Sequence, residues 1–117
     1  MTTISIASDF SPSPAGRTPA DGPFNGQRFR EEFLIPALQA ATGSGEKVTV
    51  NLDGAYSYSS SFLEEVFGGV VRVKKFAPEV LTRQLEISAE NPIYASFRRD
   101  AQSYLADALK QLKASAA

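Results

Sequence analysis

The spacing of apolar positions changes along this chain, and each change marks an element. Residues 3–8 set Ile4 and Ile6 among polar neighbours, the period of a half-buried strand. Residues 11–26, SPSPAGRTPADGPFNG, hold Pro, Gly and Ser in place of a periodic core and predict a long irregular loop. Over residues 27–41 the period becomes helical: Phe29 and Phe33, then Leu34 and Leu38, stand four apart. Pro36 lies inside that pattern and lacks a backbone donor, so it predicts either a kink or a first segment ending near Ile35. Residues 47–54 are the clearest strand, with Val48, Val50 and Leu52 alternating with Thr49 and Asn51 before Asp53-Gly54 closes it. After a serine-rich loop, FLEEVFGGVVR places Phe62, Leu63, Val66, Phe67, Val70 and Val71 on one helical stripe. FAPEV (76–80) reads as a connection, and residues 82–88 as a third strand with Leu85 and Ile87 inward. Asn91-Pro92 joins an Asx cap to a proline at the first helical position. Tyr94, Phe97, Ala101, Tyr104, Leu105, Ala108 and Leu112 then continue one apolar face to about Lys113.

The order is β, long loop, α, β, α, β, α. Strands separated by helical crossovers favour parallel neighbours, and SPSPAGR has room to return as a short antiparallel strand. The class expected is α/β, a small mixed β-sheet with helices packed on it.

Composition narrows the function. At 117 residues, 1–117 is expected to be a single domain. With 43% hydrophobic and 21% charged residues the balance is globular and argues against disorder. A net charge of −1 offers no field to attract nucleic acid or anionic lipid. No apolar run approaches the ~20 residues that span a bilayer, and MTTISIASDF lacks the basic start and apolar centre of a signal peptide. Without cysteine there is no disulfide framework. A cytoplasmic monomer is therefore expected, with no nucleic-acid or membrane partner. The chain has neither histidine nor cysteine, which excludes zinc sites built on them, Ser-His triads and thiol nucleophiles. No enzymatic activity, cofactor or metal is expected.

YSYSSSFLEE, residues 56–65, concentrates hydroxyls at a helix start. Ser61 precedes Glu64 by three, the spacing of a capping box worth ~1 kcal/mol. That leaves Ser57, Ser59 and Ser60 without a role. The end of a strand followed by a helix N-terminus also favours an anion, and a phosphate there would add roughly −1.5 to −2 charges beside Glu64 and Glu65. On residue chemistry alone the cap is the stronger reading. Gly68 and Gly69 lie mid-helix, on the side of Glu64, Glu65 and Arg72. They either bend the helix or pack against the chain's own loop, or leave room for another backbone to dock. TGSGEK (42–47) lacks the spacing of a phosphate-binding loop and precedes a strand, and RVKK (72–75) with Arg98-Arg99 reads as a solvated face.

In order, VTVNLDGAYSYSSSFLEEVFGG resembles the strand–loop–helix segment of the STAS family, the anti-sigma-factor-antagonist and sulfate-transporter domain. Together with DGPFNGQRFREEFLIPAL and SYSSSFLEEVFGGVVR it is similar to a family of short, uncharacterised bacterial STAS-like domains over most of residues 10–90. The resemblance implies a regulatory interaction module whose protein partner is an ATP-binding regulatory kinase. It also implies that a serine at the helix start is phosphorylated by that kinase to switch partners. Laid onto this chain, that serine is Ser60, with Ser59 and Ser61 one step away. Ser59 stands where the family usually has an acidic residue, and Phe62 where it has glycine. The partner face expected is Tyr58, Glu64, Glu65, Gly68, Gly69 and Arg72. The other reading is a small-molecule or nucleotide site using Arg17, Asp21 and Asp53 with the serine hydroxyls; for Arg17 and Asp21 a loop-ordering ion pair is the favoured role.

Overall fold

The computed structural model of the chain describes residues 2–116. Three short strands, β1 (Thr2–Ser5), β2 (Val48–Asn51) and β3 (Leu85–Ser88), form one sheet in the spatial order β1-β2-β3. Both pairings are parallel, with Ile4, Val50 and Ile87 in one row. The strand period of two puts Ile4, Val48, Val50, Leu85 and Ile87 on one buried face, while Thr3, Thr49 and Glu86 share the other. The α/β class is as the pattern implied. The sheet itself is parallel throughout rather than mixed, because residues 11–25 contribute no strand among the described residues. That loop folds back on itself instead: Ala15 N donates to the Phe24 carbonyl and Gly26 N to the Gly16 carbonyl, each at 2.9 Å.

β1 stops earlier than its alternation suggests. After Ser5 the chain winds into a wide π-type turn (Ile6–Phe10). There the Ser5 hydroxyl accepts from Ser8 N at 3.2 Å, and the Asp9 carboxylate accepts from Ser5 N at 2.8 Å. Short polar side chains have drawn the backbone out of the ladder.

The first helical stretch is α1 (Gly26–Phe29), a π-type turn (Arg30–Leu34) and α2 (Ile35–Thr42). The backbone stays right-handed helical at Phe29, Arg30, Leu34 and Ile35, so Pro36 does not divide it into two. The wider turn just upstream changes the hydrogen-bond register, and Pro36 falls in the first turn of α2, where its missing donor costs least.

After β2 come α3 (Ser60–Phe67) and α4 (Gly69–Arg72), then α5 (Pro78–Gln84) and, after β3, α6 (Ala95–Ala116). The segment 76–80 is not a plain connection: Ala77 is extended and Pro78 opens α5. Residues 82–84 belong to that helix, so β3 begins only at Leu85. Asn91 caps as its sequence implies, with Oδ1 accepting from Ile93 N at 3.1 Å. α3 packs against both α1 and α6, and α2 against α5. Phe29, Phe62 and Phe67 are fully buried among them. No helix among the described residues is long and apolar enough to cross a membrane.

Phe67→Ala is expected to cost ~3–5 kcal/mol, seen as a lower urea midpoint at unchanged slope. A loss below about 1 kcal/mol would contradict the close packing of that ring.

Candidate functional site

The loop leaving β2 is tied down from beneath. Leu52 N donates to the Ser88 carbonyl at 2.9 Å, and the Asp53 carboxylate accepts from Glu90 N at 3.0 Å and Asn91 N at 3.2 Å. Tyr94 Oη donates to the Ala55 carbonyl at 2.5 Å. Tyr58 was expected on the partner face; it is instead core, 4% exposed, with its hydroxyl donating to the Leu52 carbonyl at 2.6 Å. Its ring lies against Phe62, Tyr94 and Phe97, and burial pushes its phenol pKa up. The loop aromatic that reaches solvent is Tyr56, 84% exposed, which the sequence reading did not single out. No local signal separates it from Tyr58, two residues on.

Ser59, not Ser61, caps α3. Its Oγ accepts from Phe62 N at 3.1 Å, the geometry that satisfies a free amide of the first turn. The Ser61 hydroxyl shares a hydrogen bond with Ser59 Oγ at 3.2 Å, and Glu64 is drawn away to arginines. Gly16 N also donates to Ser59 Oγ, at 3.4 Å, joining the long loop to the cap. Ser60 is the first residue of α3, exposed, and its hydroxyl makes no hydrogen bond among the described residues. Ser57 is exposed as well.

Behind the serines the face of α3 carries an alternating series of charges. Arg72 donates to Glu64 at 2.6 and 2.8 Å, Arg17 to Glu64 at 2.7 Å and to Glu65 at 3.3 Å, and Arg30 to Glu65 at 2.5 Å. Arg30 also donates to the Glu65 carbonyl at 2.8 Å, and its side chain is only 8% exposed. The Arg72 hydrogen bond, and after it that of Arg17, holds the Glu64 carboxyl below its ordinary range despite partial burial. Bonding to Glu64 pushes the Arg17 and Arg72 pKa values up in turn.

This series occupies the space above the two glycines. A Cβ at Gly69 would collide with Arg30 Nη1, and one at Gly68 with Glu64 Oε2. At Gly68 it would also lie 2.9 Å from the Glu64 carbonyl. Gly68 and Gly69 are buried beneath side chains of the same chain, and α3 runs into α4 through Gly68, whose backbone stays right-handed helical. Of the expected partner residues, Glu64, Glu65 and Arg72 lie together on this face; the glycines lie under it and Tyr58 behind it.

Arg17, Asp21 and Asp53 are not brought together as a ligand site. The Asp21 carboxylate accepts from the Arg17 and Thr18 amides at 2.9 and 3.2 Å, and these bonds lower its pKa. The Arg17 guanidinium reaches α3, and no hydrogen bond or ion pair joins Asp53 to either residue among the described ones. A 420 Å³ groove lies between α5 and α6, lined by Pro78, Glu79, Thr82, Arg83, Leu109 and Lys113, with no serine-loop residue in its wall.

A family model described as "STAS-like domain of unknown function (DUF4325)" matches residues 25–95. The match runs from the start of α1 past β3 and includes Ser59, Ser60, Ser61 and Arg30, while Arg17 lies outside it. No curated protein and no solved structure matches the chain.

Two outcomes follow from the charged face. Glu64→Gln is expected to cost about 1 kcal/mol at neutral pH, a modest value because both arginine partners are nearly half exposed to screening solvent. A lowered carboxylate pKa stabilises the fold above the unfolded value, and that stabilisation disappears as pH falls through the folded value. Urea midpoints of the two proteins should therefore differ at pH 7, begin to approach each other as pH falls below the ordinary glutamate range, and converge only once it is under the lowered folded value; a gap that persists in stronger acid would refute the charge origin. Gly69→Ala should lower the melting temperature although alanine is the better helix former by ~1 kcal/mol. A higher melting temperature would show that Arg30 moves aside freely.

Proposed function

Because the chain belongs to the family of STAS-like domains of unknown function, we propose that it is a non-enzymatic regulatory module that recognises a protein, with Ser60 as its phosphate-accepting switch. The observation that carries this reading is the division of labour among three adjacent serines. Ser59 is committed to the cap and Ser61 is bonded to Ser59, whereas Ser60 presents an unbonded hydroxyl to solvent. A kinase can reach that hydroxyl without dismantling the helix start.

The physical consequences suit a switch. Phosphoryl transfer from ATP to Ser60 Oγ releases the hydroxyl proton and ADP, and leaves roughly −1.5 to −2 charges at the first residue of α3. The free amides and positive dipole end of the helix favour that charge by about 0.3–1 kcal/mol. The same modification at Ser59 would forfeit a cap worth about 1 kcal/mol. The partner in this reading is an ATP-binding regulatory kinase in the cytoplasm.

Mass spectrometry of the tagged full chain recovered from its native host tests the proposal, alongside capture by Ser60→Ala and Ser60→Asp. Phosphate is expected on Ser60 and absent from Ser60→Ala. Capture of the partner should change at least tenfold between Ser60→Ala and Ser60→Asp at equal melting temperature. Phosphate on Ser59 in place of Ser60, or no phosphate with equal capture by all three forms, would overturn it.

A further inference from the structure

The three strands are parallel, so their carboxyl ends lie at one end of the sheet, and each is followed there by an acid: Asp9 after β1, Asp53 after β2 and Glu90 after β3. None of the 12 Lys and Arg residues falls within 4–16, 48–65 or 84–97, the segments that build this end. The nearest cations are Arg17, committed to Glu64 and Glu65, and Arg98 and Arg99 in the first turns of α6 beyond Ile93. The net charge of −1 therefore conceals an uneven distribution.

The two most exposed large apolar side chains of the described residues stand at this same end. Tyr56 is 84% and Ile93 71% exposed. Each is one residue from the hydrogen bond that joins Ala55 to Tyr94. Tyr56 N is further anchored to the Pro12 carbonyl at 2.8 Å, and the Asp53 carboxylate fixes Glu90 and Asn91. Both apolar groups are thus exposed on a backbone already ordered, so a partner that covers them meets little conformational cost. Ser57 and Ser60 belong to the same loop and helix start.

We infer that Tyr56 and Ile93 are the apolar anchors of a protein-docking surface at the carboxyl end of the sheet, and that the partner surface is an apolar pocket rimmed by Lys and Arg. The inference rests on the reading of this end as the module's recognition face, and names the chemistry that face selects. An aromatic and an aliphatic side chain in loops that hold no Lys or Arg desolvate readily, and the carboxylates of Asp9, Asp53 and Glu90 steer a cationic surface toward them. The same carboxylates repel nucleic acid and the anionic leaflet of a membrane.

Amide chemical shifts of the full chain should be recorded during titration with a helical Lys/Leu peptide and, separately, its Glu/Leu counterpart. The cationic peptide is expected to move signals of residues 55–57 and 90–94, to lose affinity as salt rises, and to bind at least tenfold more weakly to the Tyr56→Ser/Ile93→Ser double variant. Both side chains are exposed, so that variant should keep its melting temperature. Equal binding by the acidic peptide, shifts confined to the α5–α6 groove, or unchanged affinity in the variant would overturn the inference. So would self-association in sedimentation that disappears in the variant, because the occupant would then be a second copy. If the cationic peptide fails while Ser60 phosphate is found in the host protein, the anchors are refuted and the switch stands. If the peptide binds at 55–57 and 90–94 with the same affinity in Ser60→Asp, the anchors stand and Ser60 plays no part in them.

Discussion

A buried guanidinium holds the start of α3 in place. Arg30 rises from the π-type turn of the first helical stretch, passes over Gly69 and ends on the carboxylate and carbonyl of Glu65. A charge this far from solvent is tolerated only with a partner of opposite sign in good geometry, so the position of α3 relative to α1 is tightly constrained. Gly26 belongs to the same contact: a Cβ there would lie 2.8 Å from Glu65 Cβ and 2.9 Å from the Phe62 carbonyl. Close approach at two glycines and one buried ion pair set where α3 starts, and with it where Ser59 and Ser60 stand.

From that constraint the outer layer follows. Glu65 is shared with Arg17, which also reaches Glu64, so the long loop is drawn onto α3 at its middle while Gly16 meets the Ser59 cap. The loop, irregular by composition, is ordered in place by a handful of directed polar contacts. Aromatic rings complete its seat: Phe10 packs edge-on against Phe24, Phe29 and Phe33, and Arg28 lies over the Phe10 and Phe24 rings. Charge and ring contacts, rather than β-pairing, decide the conformation of residues 11–25.

Much of this was legible in the chain, and the exceptions have physical causes. Val48 and Val50 identified β2 because a strand covered by helices keeps its inward positions apolar, and Asn91-Pro92 identified the start of the last helix because capping is local. Ser61 was the wrong cap: the capping box requires a free Glu64, and the arginines that engage it lie on other segments. Tyr56 and Tyr58 look alike in sequence, yet the inward one is chosen by acceptors and rings that fold over it from elsewhere, the Leu52 carbonyl and Phe97 among them. The glycine pair suggested open space because nothing near it in sequence reveals that Arg30 fills it. Pro78 carried a helix-start signal, obscured by the β-like run LEIS that follows so closely.

What emerges is a small parallel sheet whose carboxyl end is acidic, presents two anchored apolar side chains, and holds one free serine hydroxyl at a helix start. Amide hydrogen exchange on the full chain, alone and with a protein partner recovered on it from its host, tests the proposed location of recognition directly. Protection concentrated at residues 55–61 and 90–94 is the expected result. Protection along α5 and the C-terminal half of α6, with the serine loop exchanging as in the free protein, would contradict it.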